Sequence, residues 1–183
     1  MESLKALQKF GGNFLDSEQH TALVHWIDAS DRIRRKQDPA PALKELEAAL
    51  GRCFAIAKQD AMCKTLAAQA EWVAGDWLAM QKKPAGTSLK LALNKALEAT
   101  RSPQIYPDAW QVVAESNLRL ALAQDTRPAA RAQYLSDGLA AAEKIFVINP
   151  NHALGRATQG ALALHQAELG RDLGRLHSQA QSA

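Results

Sequence analysis

A large apolar residue returns every 46 positions along this 183-residue chain, and that recurrence restricts the folds open to it more than any other feature. Trp26, Trp72, Leu118 and Leu164 follow one another at 46-residue steps, and four positions before each stands a small residue: Ala22, Ala68, Ala114 and Gly160. The same step links Leu43, Leu89 and Leu135. A small residue lets a neighbouring helix come close, and the bulky one a turn later fills the space beside it. Repeated on successive helical hairpins, the pair means that each hairpin hides its apolar sides against the next, which is the sequence form of a solenoid.

The units are helical by composition and by punctuation. The chain holds 36 Ala against five Val and six Ile, a balance that favours helix and leaves little for a sheet. Prolines stand where only a first helical turn tolerates them, in Asp38-Pro39, Tyr106-Pro107, Arg127-Pro128 and Asn149-Pro150, with Asp38 and Asn149 as capping side chains. Asp60 and Asp16-Ser17 supply further caps. These signals predict helices over 17–36, 39–57, 60–82, 87–101, 107–124, 128–147 and 151–169, after a short helix at 3–9 that ends at Gly11-Gly12. Within 60–82, Met62, Leu66, Ala70, Val73, Trp77 and Met80 line one face, while Ala61, Ala68, Trp72 and Ala79 form a second stripe. A helix with two apolar stripes is held between neighbours. The expected organisation is a cap over 1–16, a repeat domain of about three and a half hairpins over 17–169, and a polar, frayed tail over 170–183.

Pro150-Asn151-His152-Ala153 followed by Gly160 and Gly170-Arg171-Asp172, and Pro107-Asp108-Ala109-Trp110 followed by Ala114, resemble the first-helix openings of the tetratricopeptide family. The period departs from that family's repeat of about 34 residues, and its Trp-Leu-Gly-Tyr run is never complete. The rhythm of Ala-rich hairpins over residues 37–170 is also similar to the helical-repeat C-terminal regions of bacterial serine/threonine protein kinases. These resemblances imply an all-α, right-handed superhelical stack of antiparallel hairpins, a tetratricopeptide-like α-solenoid, serving as the accessory and not the catalytic part of a signalling protein. No Gly-rich phosphate loop, His-Arg-Asp or Asp-Phe-Gly of a kinase is present.

Catalytic chemistry has little to stand on. His20 and His25 are five apart, about 140° around a helix, so they do not chelate one metal, and His152 and His165 lack a nearby carboxylate or thiol at ligand spacing. Cys53 and Cys63, ten positions apart in apolar patterns, read as a reduced, buried pair in a cytosolic protein, with a disulfide as the alternative. Neither an enzyme, a metal site nor a cofactor is expected. A net charge of +3 with acidic residues interspersed is no nucleic-acid footprint. Only Arg32, Arg34, Arg35 and Lys36 form a dense basic patch, at a helix end where cations compensate the dipole. Met1-Glu2-Ser3-Leu4-Lys5 opens no leader pattern and no stretch is apolar enough to span a membrane, so a cytoplasmic protein without a membrane partner is expected.

In such a stack the first helices of the hairpins line a concave groove. Gln69, Glu115, Arg119 and His165 are the expected contacts there for a peptide or partner helix, with Trp26 and Trp72 packing between helices. The expected function is thus a protein-interaction module. The alternatives are a self-assembling structural protein and a nucleic-acid binder using residues 32–36.

Overall fold

The computed structural model describes residues 14–103, 106–123 and 126–181, and among them every regular element is an α-helix. They are α1 (Phe14–Arg34), α2 (Ala40–Ile56), α3 (Ala61–Met80), α4 (Gly86–Thr100), α5 (Pro107–Leu122), α6 (Pro128–Ile148) and α7 (Ala153–Gln181). The helix expected at 3–9 lies outside the described residues. None of the described helices is long and apolar enough to cross a membrane.

Helices adjacent in the chain pack together, α1 with α2, α3 with α4 and α5 with α6 most extensively. The odd-numbered helices also touch in succession, α1 with α3, α3 with α5 and α5 with α7. Among the described residues α1 makes no substantial contact with α5, α6 or α7.

The 46-residue step reaches the backbone. Helices α3, α5 and α7 begin at 61, 107 and 153. Helices α1 and α3 end in the same way, on Lys36 at φ 58° and Lys82 at φ 57°. In each case the following N–H closes the helix: Gln37 donates to the Arg32 carbonyl at 2.8 Å and Lys83 to the Leu78 carbonyl at 2.9 Å. This left-handed residue with a long-reaching bond behind it is the usual way to satisfy the last carbonyls of a helix. At the other end, Asp60 accepts the Cys63 N–H at 2.8 Å and Asp38 accepts the Ala40 N–H at 3.0 Å.

The packing bears the same stamp. Ala22, Ala68 and Ala114 are all fully buried. Two glycines also leave no room for a side chain: a Cβ on Gly75 would stand 2.8 Å from Leu89 Cδ2, and one on Gly138 would stand 2.7 Å from Leu162 Cδ2. The fourth register position differs. A Cβ on Gly160 would meet nothing within 4 Å, and Leu164 is 55% exposed. Among the described residues no helix follows α7 to cover that face. The mirror of this stands on α1, where Val24 and Ile27 are exposed while Val73, 46 positions after Ile27, is buried.

Three expectations need correction. Asn149 does not cap α7; its N–H closes α6 on the Ile145 carbonyl, its side chain accepts the Asn151 N–H, and the Pro150-Asn151 turn delivers His152, whose Nδ1 accepts the Gly155 N–H at 3.0 Å. Helix α7 continues past Gly170 to Gln181, since a glycine inside a helix costs about 1 kcal/mol and does not by itself end it. Cys53 and Cys63 are joined in a disulfide, with their Cα atoms 6.5 Å apart, since the short turn between α2 and α3 folds the end of one helix onto the start of the next.

Candidate functional site

Arg119 on α5 is the centre of the most developed polar arrangement on the odd-numbered helices. Its Nε donates to both carboxylate oxygens of Asp76 on α3, at 2.8 and 3.0 Å, and its Nη1 donates to Glu115 at 2.5 Å. The guanidinium carbon lies 3.9 Å from the ring centroid of Trp72, also on α3. A planar guanidinium suits both tasks, since it can stack on an aromatic face while its edge donates to carboxylates. The network continues toward α7. Thr158 donates to Glu115, and the Gln111 amide donates to Thr158 at 2.7 Å and to Glu115 at 3.1 Å.

Two cavities meet at Asp76 and Arg119. The first, of about 230 Å³, lies between α1, α3 and α5 and is lined by Trp26, Ser30, Ile33, Arg34, Trp72 and Val73 in addition. The second, of about 430 Å³, runs toward the α3–α4 turn, past Lys82, Lys83, Leu89 and Leu122. The indole N–H groups of Trp26 and Trp72 are buried without a hydrogen-bond acceptor. Leaving such a donor unmatched costs about 1–3 kcal/mol. A third, smaller cavity of about 90 Å³ is lined by His165, Glu168, Arg131 and Leu135. There His165 Nδ1 is 2.9 Å from Glu168.

A polar seam runs along the starts of the same helices. The first-turn flanks of α3, α5 and α7 hold Asp60, Tyr106 and His152, again 46 residues apart. His152 Nε2 lies 3.0 Å from Asp108 Oδ1. Burial, followed by the charge of Asp108, its hydrogen bond and the charge of Asp60, pushes the Tyr106 phenol well above its usual range. It stays a neutral hydroxyl.

Of the residues singled out in the sequence, Glu115 and Arg119 lie in one network and His165 at a separate small cavity. Gln69 is partly buried and lines none of these three cavities. The basic run is largely spoken for: Arg32 pairs with Asp28 at 3.1 Å and Arg35 with Asp31 at 2.8 Å, while Arg34 lines the first cavity. Trp26 and Trp72 pack against the core clusters and also line the cavity, so one residue serves both ends. Asp76 was not visible in sequence as a site residue. The available signal was its position on the register, 46 residues after Ser30, which lines the same cavity.

No family model, curated protein or solved structure matches this chain.

Proposed function

We propose that the chain is a non-catalytic protein-interaction module, a tetratricopeptide-like α-solenoid that holds an extended peptide or a partner helix against α1, α3, α5 and α7. The order in which the helices pack favours a stack over a closed bundle, since the odd-numbered helices touch in succession while α1 makes no substantial contact with α5 or α7 among the described residues. The carrying observation is the cavity between α1, α3 and α5, where Trp26 and Trp72 adjoin an edge formed by Arg119, Asp76 and Arg34. A peptide is the ligand class that brings apolar side chains to such a floor and polar groups to the charged edge. The setting proposed is cytoplasmic, as the accessory repeat region of a bacterial signalling kinase.

The test is affinity capture with immobilised wild type beside Arg119→Glu, which places a third carboxylate among Asp76 and Glu115. Arg101→Glu, at the exposed C-terminal end of α4, is the control. A bound protein should be retained by wild type and by the control and be reduced at least about tenfold by Arg119→Glu, a change of about 1.4 kcal/mol. Identical partner lists for all three would remove the groove assignment.

Self-assembly is a second reading with its own support: Val24 and Ile27 on α1 and Leu164 on α7 leave apolar surface open at both ends of the helix series. Light scattering that gives a strict monomer at high concentration would remove it. The nucleic-acid reading loses ground, because Arg32 and Arg35 already face carboxylates on their own helix.

A further inference from the structure

The turn between α2 and α3 gathers three side chains, each with one atom suited to a metal ion. Cys53 is in the last turn of α2, Asp60 caps α3, and Cys63 is in the first turn of α3. The two sulfurs and a carboxylate oxygen lie within 4.8 Å of one another. Both cysteines are fully buried, and Asp60 is only 5% exposed.

Asp60 is the informative member. A carboxylate taken out of water is costly unless a cation or several donors compensate it. The Asp60 carboxylate accepts the Cys63 N–H at 2.8 Å and the Gln19 amide at 3.0 Å, both neutral donors. Among the described residues no Lys, Arg or His forms an ion pair with it. Among the described residues the Asp60 carboxylate is thus held beside two sulfurs by neutral donors and the N-terminus of α3, with no cationic side chain paired to it.

We infer that Cys53, Asp60 and Cys63 bind a thiophilic divalent cation of the Zn²⁺ kind when the protein is reduced, and that the disulfide is the closed, metal-free state of the same site. This goes against the sequence expectation of no metal. Two thiolates with one carboxylate select a borderline-soft cation over Mg²⁺ or Ca²⁺, which prefer all-oxygen cages. Two sulfurs on one tetrahedral Zn²⁺ stand about 3.8 Å apart, given Zn–S bonds of about 2.3 Å. The Cα separation of 6.5 Å is at the long end of the span a disulfide bridges, about 4.4–6.8 Å, so the sulfurs can part by rotating side chains. Gln19 offers a fourth donor, because turning its amide over presents the oxygen in place of the nitrogen.

The conversion balances with a dithiol reductant. The reductant supplies two electrons and two protons to the Cys53–Cys63 bond, ends as a disulfide itself, and leaves two thiols. Metal binding then forms two metal–sulfur bonds and one metal–oxygen bond to Asp60, and releases the two thiol protons to solvent.

Co²⁺ is the probe, because thiolate ligation gives it a charge-transfer band and tetrahedral geometry gives it strong visible bands. Reduced wild type under anaerobic conditions should develop both at a one-to-one ratio and lose them on addition of Zn²⁺, whereas the oxidised protein should develop neither. Asp60→Asn keeps the helix cap but loses the charge, and should weaken binding by more than the ~10- to 100-fold that loss of an outer-shell partner costs. Absence of a thiolate band in reduced wild type overturns the site. So does its persistence in the Cys53→Ser, Cys63→Ser double variant, and unchanged affinity in Asp60→Asn removes Asp60 from it.

Discussion

Truncating Leu162 to alanine is expected to destabilise the protein by about 2–5 kcal/mol. At this chain length that lowers the midpoint of thermal unfolding on the order of 10 °C. Leu162 is fully buried and belongs to the cluster formed with Val112, Val113, Leu135, Ala141 and Ala142, contributed by α5, α6 and α7. Its methyl group occupies the space that Gly138 leaves open, so the deletion opens a gap between α6 and α7 that neither helix can close without backbone movement. The comparison is Leu164→Ala, two residues on, where the side chain is 55% exposed and the change should stay within about 0.5 kcal/mol. Thermal melts followed by far-ultraviolet circular dichroism read both. Equal losses from the two would mean that the α6–α7 packing is wrong.

The second large effect is a change of sign at equivalent places in the register. Ala114→Leu puts three more carbons into a fully buried position and should cost about 1–3 kcal/mol through forced rotamers and shifted helices. Gly160→Ala stands 46 residues on. There the added Cβ meets nothing within 4 Å, and replacing a mid-helix glycine should stabilise by about 0.5–1 kcal/mol. Urea denaturation midpoints give both values. If Gly160→Ala also destabilises, something covers that face of α7 in solution, and the open end described for the helix series is lost.

Helix existence was readable because the chain marks its starts chemically. Pro107 and Pro128 begin α5 and α6 at the residues the proline rule assigns, and Asp60 caps α3 through its side chain. The rule misled at Asn149-Pro150, where a turn intervenes and an imidazole does the capping, a role that composition does not advertise. The recurring small residues announced burial at Ala22, Ala68 and Ala114, yet the places where even a Cβ would be too large include Gly75 and Gly138, which lie outside that series. Site legibility was also partial. Glu115 and Arg119 were within reach because one helical turn joins them, whereas the Asp76 contact depends on how α3 is rotated against α5, which no single sequence fixes. The bond between Cys53 and Cys63 is hidden in the sequence for a similar reason. Ten residues of separation say nothing about distance until the turn between two helices is known.

Lys36 and Lys82 hold their backbones in a region where a residue with a Cβ spends roughly 1–2 kcal/mol that glycine does not. Their ammonium groups, at the ends of α1 and α3, recover a share of this from the helix dipole. Glycine at either place would relax the chain and forfeit the charge, so the two changes largely cancel. Lys36 is exposed and lines none of the three cavities described, which makes this corner the natural attachment point for a dye or a surface tether that leaves those cavities untouched.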